Sequence, residues 1–131
     1  MKKTNLKSIA LILFAIIMLF TLTACGASKE TKENVKNIEI SVYDKSGELI
    51  CEKKIETEDA KLIDALEKTD DLNIVSESSQ YGAFITSIKG VAQEDSYFWN
   101  YYVNGEYATV GASEYEIKDN DKFEFRLEKF E

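Results

Sequence analysis

Residues 97–105 have the sequence YFWNYYVNG. Seven residues, six of them β-prone, run into Asn104-Gly105, the dipeptide best suited to a two-residue hairpin turn. The stretch predicts a strand over Tyr97–Val103 and a returning strand over Glu106–Val110. Tyr97, Trp99, Tyr101 and Val103 fall on one face, and Phe98, Asn100 and Tyr102 on the other. One set must line the core. Alternation alone leaves open which, so Trp99 is either a core anchor or a surface contact.

Downstream, Lys122–Lys129 alternates cleanly, with Phe123, Phe125 and Leu127 inward and Glu124, Arg126 and Glu128 outward. Upstream, Ala83–Ile88 is a further predicted strand. The domain opens at Ile38, where Ile38, Ile40 and Val42 alternate with Glu39, Ser41 and Tyr43. Asp44-Lys45-Ser46-Gly47 makes a turn, and Glu48–Ile55 returns with Leu49, Cys51 and Ile55 on one face. Thr57-Glu58-Asp59 predicts a helix start with a capping hydroxyl. The helix would cover Ala60–Lys68, with Leu62, Ile63 and Leu66 as its apolar stripe. A short strand at Leu72–Val75 could follow. A hairpin, one helix and three or more strands give an α+β fold, a β-grasp-like mixed sheet with one helix.

The first 24 residues predict a signal that is cleaved. Lys2, Lys3 and Lys7 precede twelve apolar residues, Ile9 to Phe20. A membrane-spanning helix needs about 20 such residues. The run suits the apolar region of a signal peptide. Leu22-Thr23-Ala24-Cys25-Gly26 resembles the lipobox of bacterial lipoproteins. That resemblance implies cleavage before Cys25, a diacylglyceryl group on its thiol, and a membrane-lipid anchor on the extracytoplasmic face. The Lys- and Ile-rich signal favours a Gram-positive cell. Residues 25–37 then form the lipidated cysteine and a flexible, charged linker, and residues 38–131 the domain.

Composition narrows the function. Loss of the three signal lysines moves the formal net charge from −8 to −11. Such an acidic surface repels nucleic acid. The chain has no histidine, which removes Ser-His and Cys-His nucleophile activation and the commonest zinc ligand. With Cys25 lipidated, Cys51 has no partner for a disulfide and suits a small buried hydrophobe better than a reactive thiol. Asp119-Asn120-Asp121 lacks the glycine and distal glutamate of a calcium loop and suits a turn. No catalytic residues are expected, and no enzymatic activity.

Three blocks carry a family resemblance: 81–90 (YGAFITSIKG), 98–105 (FWNYYVNG) and 111–125 (GASEYEIKDNDKFEF). In this order and spacing they resemble the C-terminal β-domain of transcobalamin and intrinsic factor. They also resemble the bacterial transcobalamin-like C-terminal domain of unknown function. The resemblance implies a binding module for cobalamin or a related corrinoid. The matching contact positions are Tyr81 and Gly82, Ser87 and Ile88, and Tyr97, Trp99 and Tyr101. Aromatic rings can cover a flat corrin face while hydroxyl and backbone groups bond its amides. The chain departs from the animal carriers in having no helical barrel and no histidine to meet cobalt. Two functions follow as expectations: a tethered corrinoid-binding protein that could feed a membrane importer, or an interaction module for another envelope protein.

Overall fold

The computed structural model describes residues 34–130. The expected signal peptide, Cys25 and the linker up to residue 33 lie outside the described residues. Along the described chain the elements are β1 (Lys36–Tyr43), β2 (Leu49–Thr57), α1 (Leu62–Glu67) and a 3₁₀ turn (Asp70–Leu72). Then come β3 (Val75–Ser79), β4 (Gly82–Ile88), β5 (Val91–Ala92), β6 (Tyr97–Val103), β7 (Glu106–Tyr107) and β8 (Lys122–Lys129). The fold is β-rich, with one short α-helix among the described residues.

Five strands form a mixed sheet in the order β2-β1-β8-β6-β7, and β3-β4-β5 form a smaller sheet. The first and last strands lie side by side in the centre. They are parallel, with Ile40 opposite Phe123 and Val42 opposite Phe125. Their inward residues Ile38, Ile40, Val42, Phe123, Phe125 and Leu127 are all buried. Leu62, Ile63, Ala65 and Leu66 of α1 complete this core with Ile85 and Ile88 of β4. A parallel pair cannot be joined by a tight turn, so the chain between must cross over, and α1 lies on that crossover. The opposite face of the sheet is charged and aromatic. There the Arg126 guanidinium lies 5.4 Å from the Tyr43 ring and 4.9 Å from the Tyr102 ring.

The structure departs from the sequence expectations in four places, each for a nonlocal or steric reason. The helix is shorter than Ala60–Lys68. Lys61 stays extended because it bridges Glu116, and the helix has no side-chain cap. The Thr57 hydroxyl instead donates to Asp59 Oδ2 at 2.8 Å and accepts from the Asp59 amide at 3.1 Å, closing a local turn. Leu49 faces solvent because a bulge at Val42/Tyr43 shifts the register, and Ile50 packs on the core in its place. Leu72 is fully buried in the 3₁₀ turn, so β3 begins only at Val75. The strand after Asn104-Gly105 stops at Tyr107, because beyond it the Val110 carbonyl is drawn to the Tyr101 hydroxyl.

Candidate functional site

The turn between β3 and β4 is closed by Ser79. Its hydroxyl accepts from the Tyr81 amide at 3.0 Å and donates to the Gly82 carbonyl at 3.1 Å. Tyr81 is thereby fixed at the tip and is 73% exposed. Gly82 follows with φ +108°, a conformation that side chains resist. A Cβ there would stand 2.6 Å from Ser113 Oγ. That oxygen accepts from the Ala83 amide at 3.0 Å. The β3–β4 turn and the loop between β7 and β8 therefore meet backbone to side chain.

The loop is pinned from several sides. The Leu62 and Ile63 amides, which open α1 and lack partners within it, donate to the Tyr115 and Ala112 carbonyls at 3.1 and 3.0 Å. The Glu114 and Tyr115 amides turn back onto the Gly111 carbonyl. The Tyr101 hydroxyl holds the Val110 carbonyl. At the far end of the loop, the Tyr115 hydroxyl donates to Asp121 Oδ2 at 2.8 Å. The result is a rigid crest of Tyr81, Gly82, Val110, Ser113 and Glu114. Beside it lies an open cleft of about 310 Å³ lined by residues that include Trp99, Asn100, Tyr101, Tyr107 and Val110.

Two phenols near the crest are held in their neutral form. Burial pushes Tyr101 well above the ordinary tyrosine value, and electrostatic coupling to Tyr115 and Glu114 adds to it. Burial and then the hydrogen bond to Asp121 push Tyr115 up to about 12. Both remain hydroxyl donors at neutral pH. The crest offers ring faces, backbone amides and hydroxyls. Among the described residues, no group of three or more Cys, Asp or Glu side chains is placed to hold a metal ion.

Of the seven contact positions taken from the resemblance, Tyr81, Gly82 and Tyr101 gather at this end. Of the other four, Trp99 lines the same cleft, while Ser87, Ile88 and Tyr97 lie elsewhere. Ile88 is fully buried and Trp99 is 9% exposed, with its indole N–H donating to the Val91 carbonyl at 3.0 Å. Both side chains belong to the core. Ser87 is half-buried near the end of β4, opposite Ala92 and Val75. Tyr97 sits at the opposite end of β6 from Tyr101, 5.9 Å from the Lys45 ammonium. Sequence reading missed Tyr107, Val110, Ser113 and Glu114 as site residues. The third block contains Ser113 and Glu114, but nothing local announces a contact with a turn about thirty residues earlier.

Residues 59–129 match the family described as a domain of unknown function, DUF4430. The chain belongs to the DUF4430 family. Among solved structures, this DUF4430 chain is similar to a protein of Ruminococcus gnavus ATCC 29149 described as a candidate metal binder. The TM-score is 0.64 at 26% identity, covering 73% of this chain and 99% of that one. It is also similar to haptocorrin in complex with Cbi, with a TM-score of 0.64 at 21% identity. That match covers 74% of this chain and 26% of haptocorrin, so this chain spans about a quarter of haptocorrin's length. The likeness is one of fold, and it agrees with the transcobalamin-like fold expected from the three blocks. No curated protein matches the sequence.

Proposed function

We propose that this DUF4430 chain is a lipid-anchored binding protein of the extracytoplasmic face, taking a corrinoid or a similar flat, amide-fringed molecule on the Tyr81 crest. The domain is a β-grasp variant on this reading, supported by its central parallel pair and single crossing helix. One observation carries the ligand proposal. Tyr81 is an aromatic residue presented to solvent on a turn whose backbone is hydrogen-bonded, beside a glycine and a loop edged by Val110 and Glu114. An exposed aromatic ring is a surface that gains from being covered. The lobe of haptocorrin that shares this fold belongs to a protein described with Cbi bound, which favours the same ligand class here.

The crest covers one side of a disc-shaped ligand. A second protein, such as a membrane importer, would cover the other. The domain works by surface complementarity and makes no covalent bonds. Titrating cobinamide into the detergent-solubilised full chain should shift the corrin absorbance spectrum. Tyr81→Ala should weaken binding about tenfold, the loss of about 1.4 kcal/mol expected for one aromatic contact. Its unfolding midpoint should be unchanged, since the ring is largely free of the fold. An unshifted spectrum at millimolar ligand would contradict the proposal.

The anchor has its own check. Cells given labelled palmitate should label the wild-type chain and leave Cys25→Ser unlabelled. Equal labelling of both would remove Cys25 as the lipidated residue.

A further inference from the structure

We infer that Asn104 is a deamidation site that the native hairpin keeps silent. The chemistry is set by the sequence. In Asn104-Gly105 the glycine amide nitrogen is unshielded by a side chain and can attack Cγ of Asn104. A new C–N bond closes a five-membered succinimide, the Cγ–Nδ2 bond breaks, and ammonia leaves. Water then opens the ring to aspartate or isoaspartate. Water is the only co-reactant.

The fold opposes each part of that step. Asn104 and Gly105 have φ +51° and +85°, the left-handed pair of a tight hairpin turn. Asn104 Nδ2 donates to Asp121 Oδ1 at 3.0 Å, and Oδ1 accepts from the Lys122 amide at 2.9 Å. The Asn104 amide donates to the Lys122 carbonyl at 2.8 Å. Bringing Cγ onto the Gly105 nitrogen would break both side-chain bonds. It would also take a donor from Asp121, which is 3% exposed. Reaction therefore requires the turn to open. The product is incompatible with the same geometry, because a carboxylate at position 104 would face Asp121 as a like charge. A chain that carried aspartate at position 104 would form the β6–β7 turn against that like charge, and so less stably.

Mass spectrometry of the full chain tests this without a variant. Samples are incubated folded and in denaturant at the same temperature and mildly alkaline pH, then digested with trypsin. The peptide spanning residues 90–118 holds both Asn104 and Asn100. Asn100 precedes Tyr101, whose side chain crowds its own backbone nitrogen, so Asn100 serves as the internal control. Asn104 should deamidate at least about tenfold faster in the denatured sample, as expected when reaction waits on opening. Equal rates in the two samples would overturn the inference. Asn104→Asp should also unfold at lower denaturant concentration than wild type. A variant as stable as wild type would overturn the stated incompatibility of the product.

Discussion

Asp121→Ala should lower the stability of the domain by about 3 kcal/mol, the largest single effect expected at a polar residue here. Asp121 is one of two buried polar residues among those described, at 3% exposure. Its carboxylate accepts three hydrogen bonds: from the Tyr115 hydroxyl at 2.8 Å, the Lys118 amide at 2.9 Å and the Asn104 side chain at 3.0 Å. Alanine leaves all three donors without their acceptor. Each donor left unsatisfied in a buried setting costs about 1–3 kcal/mol, with Lys118 and Asn104 at the low end because water can reach them. For a domain of this size the change corresponds to roughly 15 °C in Tm. Asp121→Asn should fall between, since it keeps the shape but turns one acceptor into a donor. The three partners lie at the end of the site loop, in the segment before β8 and at the tip of the β6–β7 hairpin. Cobinamide binding should therefore weaken along with stability. Thermal melts followed by circular dichroism check the first part. An Asp121→Ala midpoint within a few degrees of wild type would show that these bonds are replaceable by water.

Gly82→Ala should cost about 3 kcal/mol and distort the crest. The backbone at φ +108° costs an L-residue about 1–3 kcal/mol. The added Cβ would lie 2.6 Å from Ser113 Oγ, so the hydroxyl must rotate away and release the Ala83 amide. Losing that hydrogen bond adds about 1 kcal/mol. Ser113→Ala alone should cost only the latter. The double variant should then be no less stable than Gly82→Ala, because the first substitution already destroys what the second removes. Denaturant melts of the four proteins form the cycle that measures this coupling. Simple additivity would mean that Gly82 and Ser113 act independently, and that the two loops are not tied at this point.

Much of the scaffold could be seen in the sequence because its strands have one buried face each. Ile38, Ile40 and Val42, and again Phe123, Phe125 and Leu127, alternate as they do because a side chain on a strand sees the core at every second residue. The Asn104-Gly105 turn was equally plain, since few other dipeptides accept two positive φ angles. What stayed hidden was set by contacts between distant segments. The choice between the Trp99 and Phe98 faces was made by β8, which pairs Trp99 with the buried Leu127 and Tyr101 with the buried Phe125. The late start of α1 came from the Lys61–Glu116 bridge. The bulge that turned Leu49 outward has no composition signature in that stretch.

The site was legible only in part, and for a related reason. Tyr81 stood out because a large aromatic ring among polar neighbours has no evident core to enter, and it is indeed 73% exposed. Ile88 and Trp99 occupy contact positions of the blocks that carry the resemblance, and both belong to the core. Position in a block does not separate residues that touch a ligand from residues that build the strand presenting it. Val110, Ser113 and Glu114 belong to a loop whose place beside Gly82 depends on α1, Tyr101 and Asp121 together. No pattern within the loop encodes that.

Hydrogen exchange on the full chain, with and without saturating cobinamide, tests the proposed crest most directly. Amides of residues 79–83 and 110–115 should exchange more slowly in the presence of ligand, while the paired centre of β1 and β8 stays unchanged. Binding that leaves both of those segments unaltered, or protects only the far end around residues 43–47 and Tyr97, would contradict the account.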